Sequence, residues 1–229
     1  MSIELERIGL ERTRFNMVEQ QVRPWDVTDM RVLDALSSVR REQFVPAEHR
    51  ELAFADVALP LGHGEFMMKP VVEGRMLQAL ALEAGNSVLE VGTGSGFITA
   101  CIGFLTRDVV SVEIHADLAE RARRLLLESQ VSNASVITAD ALGSFNPERE
   151  FDAIALTGAV HREPEKFRRW LRPGGRLFLI RGAVLDQGMP VMEAVVITRI
   201  GANDYREQSL FETELPYLIN ATPPKRFAL

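Results

Sequence analysis

From residue 87 onward, short apolar runs alternate with amphipathic stretches. SVLEVG (87–92), DVVSVEI (108–114), ASVITAD (134–140), FDAIALTG (151–158) and RLFLIRG (176–182) are nearly continuous in apolar residues, the pattern of strands buried on both faces. Between them, GFITACIGFL (96–105), HADLAERARRLLLES (115–129) and EPEKFRRWL (163–171) carry helical periodicity, the second with a capping-box pair at Asp117 and Glu120. RPGG (172–175) predicts a turn. Strands joined by helices predict a parallel sheet covered on both sides. The tail differs: EAVVITRI (193–200), the short turn GAND and YREQSLFETELPYL (205–218) predict an antiparallel hairpin, because a connection that short joins only antiparallel strands.

The first third is less regular. Residues 3–21 alternate apolar and charged positions at near-helical spacing and predict a surface helix, broken by RPWD. Thr28 or Asp29 is placed to cap a second helix running to about Val39. EQFVP and LAFADVALPLGHG read as extended, turn-rich chain with short strands, and helical periodicity returns over 71–84. The organisation expected is an N-terminal helical and extended segment, residues 1–70, packed on a core of residues 71–229.

Composition narrows the class. With 229 residues, 46% hydrophobic and 25% charged, the chain has the profile of an ordinary soluble globular protein. A net charge of −6 argues against a nucleic-acid surface, and the basic pairs at 40–41, 123–124 and 168–169 fall within amphipathic segments as solvated faces. A single cysteine, Cys101, excludes an internal disulfide or a thiolate metal cluster. The histidines, at 49, 63, 115 and 161, lack metal-ligand spacing, so no metal is expected. No stretch approaches the roughly 20 apolar residues of a membrane span, and the acidic N-terminus is no signal peptide. A cytoplasmic protein without membrane or nucleic-acid partners is expected.

The candidate chemistry begins at LEVGTGSGF, residues 89–97, between the first core strand and its helix. Gly92 permits the tight turn, and Gly94 and Gly96 let a ligand approach the backbone at the helix N-terminus. A dinucleotide fingerprint requires glycine at 97, which is Phe. The G-x-G-x-G spacing with Glu90 just before it suits S-adenosylmethionine (SAM), whose sulfonium and amino group tolerate a nearby acid better than a pyrophosphate does. Glu113, 21 residues after Gly92 at the end of the second core strand, is placed to accept hydrogen bonds from ribose hydroxyls. Asp140, ending the third, is placed to reach an adenine amino group. Their neighbours Thr93, Ile114 and Ala141 complete the expected cofactor set.

These residues resemble the protein-L-isoaspartate O-methyltransferase family over roughly residues 15–218. The likeness runs through RREQFVPAEHRELAFADVALPLGHG, VLEVGTGSGFITA, VVSVEIHADLAERARRLL, FDAIALTGAVHREPEKFRRWLRPGGRLFLIRGAVLDQG and the closing strands. The resemblance implies a Rossmann-like class I methyltransferase fold, an α/β protein with a mostly parallel seven-stranded sheet, a C-terminal antiparallel hairpin and an N-terminal helical extension. It also implies SAM as cofactor, S-adenosyl-L-homocysteine as product, and methyl transfer to the carboxylate of isoaspartyl residues in damaged proteins. The family's glycines flanking the last acid are Ala139 and Ala141 here.

One loop departs further. In LGHGEFMMKP, residues 61–70, the family's Thr-Ile-Ser-x-Pro run falls on Phe66, Met67, Met68, Lys69 and Pro70, and only the proline is kept. Neither Phe nor Met donates a hydrogen bond. Lys69, His63 and the N–H groups of the Gly62–Gly64 turn are the possible substitutes, and Met67 and Met68 the possible lining of an apolar acceptor pocket. No catalytic residue carries over, so His63, Met67, Met68 and Lys69 are loop candidates only. Three readings stay open: isoaspartyl repair on peptide or protein substrates, a different protein or small-molecule acceptor, and SAM binding without catalysis.

Overall fold

The computed structural model describes residues 2–183 and 191–223; the end of the family-like stretch RGAVLDQG lies outside them. The first helix, α1 (Ser2–Met17), runs on through a π turn, Val18–Val22, up to RPWD, where the expected break falls as a 3₁₀ turn, Arg23–Trp25. The wider turn keeps both Val18 and Val22 in the core, and Pro24 tolerates a first helical turn because its missing N–H has no role there. Asp26, left-handed at φ 60°, ends the run. Asp29 then caps α2 (Met30–Ser38), accepting a hydrogen bond from the Arg31 N–H at 2.9 Å.

The EQF of EQFVP proves helical, in α3 (Arg41–Phe44), while Val45 and Pro46 are extended as expected and a 3₁₀ turn (Ala47–Leu52) follows. One helical turn brings Arg41 and Phe44 inward together, which alternating strand positions three apart do not do. Strands β1 (Leu59–Gly62) and β2 (Glu65–Met67) form a small antiparallel hairpin. Its two-residue tip, His63 and Gly64, has positive φ at both positions (56° and 81°), the geometry of a tight hairpin turn. Pro70 opens α4 (Pro70–Leu80), and Ala81 in the left-handed region ends it before residue 84.

The core sheet follows the order read from the sequence. Strand β3 (Ser87–Val91), helix α5 (Phe97–Leu105), β4 (Asp108–Glu113), α6 (Ala116–Glu128), β5 (Ala134–Thr138), β6 (Phe151–Val160), α7 (Lys166–Arg169), β7 (Leu171–Ala183), β8 (Val191–Arg199) and β9 (Tyr205–Thr213) succeed one another. In space the strands run β5-β4-β3-β6-β7-β8-β9, the first five parallel, β8 antiparallel to β7, and β9 antiparallel to β8. Helix α7 is shorter than expected, held by Glu163 gripping Arg168 through two contacts of 2.5 and 2.6 Å. RPGG is a bulge at the start of β7, between the Phe151–Leu171 and Ala153–Arg176 partners. After β9 the chain leaves the sheet, since Pro216 has no N–H for the ladder, and Tyr217 instead bridges to Ala159 beside β6.

Alternate strand residues feed two cores. Val88, Ala153, Ala155, Phe178 and Ile180 share one cluster with Met17, Val22, Leu36, Phe44 and Met76 of the N-terminal layer. Leu89, Val91, Ile154, Leu156, Leu177 and Leu179 pack into the cluster on the opposite face. The sheet is therefore covered on both sides, and the carboxyl ends of β3, β4 and β6 converge on one edge next to the β1–β2 hairpin.

Candidate active site

The turn after β3 is shaped by its glycines. Gly92, at φ 93°, lies so close to Thr157 that a Cβ there would sit 2.4 Å from its hydroxyl. Thr157, at the end of the apolar run of β6, donates to the Val91 and Gly92 carbonyls at 2.9 and 2.5 Å and fixes the turn. Gly96, left-handed at φ 85°, begins α5 against Ala122. Glu113, buried at the end of β4, accepts hydrogen bonds from the Gly94 N–H at 2.8 Å and the His115 N–H at 3.0 Å. Both carboxylate oxygens are thus oriented by backbone, with lone pairs to spare. Asp140, two residues past β5, accepts from the Leu142 N–H at 2.8 Å and from Asn220 Nδ2 at 2.9 Å.

These elements enclose a cleft of about 600 Å³ measured out to open solvent. Of the residues expected from sequence, Gly92, Gly94, Glu113, Ile114, Asp140 and Ala141 line it. Joining them are Glu65, Phe66, Thr157 and, from the segment after β9, Leu218 and Ile219. Among the described lining residues are three carboxylates and no Lys or Arg. Those acceptors fit a nucleoside bearing a sulfonium and oppose a pyrophosphate.

Glu90 is not part of the lining. It is fully buried beneath the glycine turn, where its Oε2 accepts the hydroxyls of Thr99 (2.5 Å) and Ser111 (2.6 Å). Ser111 also meets the Thr93 hydroxyl at 2.5 Å, so Glu90 braces the turn from below. Burial pushes its carboxyl up to about 7, against the pull of those two hydroxyls. Expected beside the cofactor, its side chain is placed by β3 beneath the loop rather than on the wall of the cleft. Gly96 likewise serves packing.

Thr93, Met67 and Met68 line a smaller adjoining recess with Glu73, Ser95 and Ile98; the recess and the cleft share Leu61, Phe66, Gly92, Gly94 and Thr157. Met67 and Met68 are buried, Phe66 exposed. Under the recess lies Arg41, fully buried. It pairs with Glu73, donates through Nη2 to the Met68 carbonyl at 2.8 Å and through Nε to the Ala53 carbonyl at 2.8 Å, and stacks over Phe97 at 4.9 Å. Burial pushes the Glu73 carboxyl up while Arg41 pulls it down.

The other loop candidates are placed elsewhere. Lys69 is exposed at the start of α4 and lines neither the cleft nor the recess. His63 is at the hairpin tip, its Nε2 2.9 Å from Asp117 and its ring stacked on His115 at 4.1 Å. Asp117 therefore binds His63 rather than forming a capping box; α6 begins after His115, with no side-chain cap. The His63 contact holds the Asp117 carboxyl below its usual value. His115 in turn stands 3.7 Å from Glu65, whose carboxyl is pushed up by burial. Among the described residues, no group of three or more His, Cys, Asp or Glu is arranged to hold a metal.

Residues 13–195 match the family model of the protein-L-isoaspartate(D-aspartate) O-methyltransferases. The chain is 34% identical to the protein-L-isoaspartate O-methyltransferase of Koribacter versatilis, over 95% of each chain. A solved protein-L-isoaspartate O-methyltransferase superposes with a TM-score of 0.76 at 20% identity, covering 91% of this chain and 65% of that longer one. A chain from Plasmodium falciparum, assigned to the same enzymes and solved with S-adenosyl-L-homocysteine, superposes with a TM-score of 0.74 at 19% identity, covering 90% and 97%. At those identities the two structures establish the fold alone.

Proposed function

From membership of the protein-L-isoaspartate(D-aspartate) O-methyltransferase family, to which this chain belongs, we infer that the acid-lined cleft is the active site of a SAM-dependent O-methyltransferase acting on isoaspartyl carboxylates of peptides and proteins. The observation that carries the reading is one cleft holding the glycine turn, two backbone-oriented acids and, alongside them, the β1–β2 hairpin. SAM supplies an electrophilic sulfonium methyl and leaves as S-adenosylhomocysteine.

In this reading the cofactor half belongs to the glycine turn and the two acids. Glu113 holds the ribose hydroxyls, Asp140 the adenine amino group, and Ile114 and Ala141 border the nucleoside. Gly92 and Gly94 keep the backbone open to the ligand. The reaction asks little acid–base chemistry of the protein, because a carboxylate is already a nucleophile at neutral pH. What remains is to align its oxygen with the methyl carbon and to exclude water. The hairpin does this beside the turn, with Ser95 and the loop's backbone N–H groups as donors in place of the missing Thr and Ser. Lys69, solvent-facing, and His63, engaged with Asp117, are not assigned that task.

The test is methyl transfer from radiolabelled SAM to an isoaspartyl peptide beside its aspartyl twin. Label on the isoaspartyl peptide alone is expected; no label on either, with SAM bound, overturns the reading. The apolar trio Phe66, Met67 and Met68 favours a second reading, transfer to a different acceptor, which labelling of a cell extract would reveal. No described helix is long and apolar enough to cross a membrane. We place the enzyme in the cytoplasm, a placement that cell fractionation checks.

A further inference from the structure

Phe66 lies on the wall shared by the cofactor cleft and the adjoining recess, and it is 41% exposed. A large aromatic ring left in water at the mouth of a site loses hydrophobic stabilisation that a covering apolar group would restore. The other exposed apolar residues of the mouth, Ile114 and Ile219, stand on the nucleoside side: Ile114 follows Glu113, and Ile219 precedes the Asn220 that bonds Asp140. Phe66 stands on the hairpin side.

The recess behind it is mixed in character. Leu61, Met67, Met68 and Ile98 form its apolar side, next to Phe66, while Thr93, Ser95, Thr157 and the Arg41-paired Glu73 form the polar side. All three hydroxyls are engaged: Thr93 with Ser111, Thr157 with the turn carbonyls, and Ser95 Oγ accepting from the Phe97 N–H at 3.2 Å. Methionines fill irregular apolar space and adapt to more than one shape. The carbonyl of Met68 is held by Arg41, so the base of the loop is fixed while its side chains remain adaptable.

Taking the isoaspartyl reading as given, we propose that Phe66 is the specificity-determining residue of the acceptor site, selecting isoaspartyl residues that have a bulky apolar neighbour in the substrate chain. The isoaspartyl carboxylate meets the methyl group beside Gly92 and Gly94. The neighbouring Leu, Ile, Phe or Met side chain covers Phe66 and reaches toward Leu61, Met67 and Met68. A Ser or Gln neighbour at that place gives up water against the Phe66 ring without the gain of apolar contact.

The experiment uses the full chain, saturating SAM, and isoaspartyl peptides that differ only in the residue before or after the isoaspartate: Leu, Phe, Ser or Gln. Discrimination between an apolar and a polar side chain at one apolar subsite is worth about tenfold or more in kcat/KM. The wild type is expected to show it on at least one side of the isoaspartate. Phe66→Ser is expected to shrink it to about twofold, and calorimetric peptide affinities in the presence of S-adenosylhomocysteine are expected to follow the same order. Because the readout is a ratio between peptides, any effect of Phe66→Ser on cofactor affinity cancels. Equal kcat/KM for all peptides, or a preference that survives Phe66→Ser, overturns the proposal and leaves the isoaspartyl activity standing. Absence of label on every isoaspartyl peptide overturns that activity and the proposal with it.

Discussion

Replacing Glu90 by Gln isolates a charge that the fold keeps out of water. The carboxyl is fully buried, and its ordinary value of 4.5 rises to about 7. A carboxyl whose value is raised by folding stabilises the native state below its unfolded value, and that contribution is lost as pH rises through the folded one. Between 4.5 and about 7 the loss amounts to about 3 kcal/mol, from about 1.4 kcal/mol per pH unit. Glutamine keeps an oxygen to accept from Thr99 and Ser111 but does not ionise. Urea unfolding of both proteins from pH 4 to pH 8 measures the effect. The wild type is expected to lose stability relative to Glu90→Gln as pH rises, by about 3 kcal/mol across the range. Titrating groups remote from Glu90 cancel in the difference; Glu113, whose charge helps raise the Glu90 carboxyl, contributes through that coupling. Two curves that run parallel over the whole range would refute the argument, since Glu90 would then titrate alike in the folded and unfolded chains.

Glu113→Ala is expected to raise the SAM dissociation constant by about tenfold to a hundredfold, the range for losing hydrogen bonds to a charged acceptor. Unchanged affinity by calorimetry would show that Glu113 does not hold the ribose. Arg41→Met leaves the Glu73 carboxylate buried without its partner and the Met68 and Ala53 carbonyls without their donor. A loss of about 3–5 kcal/mol in unfolding free energy is expected, with partial recovery in Arg41→Met/Glu73→Leu. A single-variant loss below about 1 kcal/mol would mean the pair is no structural tie.

The strand–helix alternation, the closing hairpin and the Asp29 cap are legible in sequence because each rests on local periodicity or a short motif. The same local signals misled at Asp117, whose capping-box spacing is real but whose partner, His63, is 54 residues away. Glu90 was legible as an acid beside a glycine turn; its direction was not, since Thr99 and Ser111 claim it from a helix and a neighbouring strand. The π turn at Val18–Val22 has no spacing signature. The single turn of α3 that begins at Arg41 was not legible, because Arg41 is a core residue only through Glu73, 32 residues on, and no local pattern marks an arginine as buried. Thr157 carried a weak signal, a lone polar residue ending an apolar run. Leu218, Ile219 and Asn220 carried none, being brought to the cleft by backbone hydrogen bonds of Pro216 and Leu218 with Ala159 and of Ala221 with His161.

That last placement bears on the order in which the protein comes into being. During vectorial synthesis the glycine turn, Glu113 and Asp140 emerge well before the strands that complete the sheet. The wall formed by Leu218 and Ile219, and the Asn220 contact on Asp140, exist only after β8 and β9 have docked and the chain has turned back along β6. A nascent chain therefore carries half a cofactor cleft, and full affinity arrives with the return of residues 215–221.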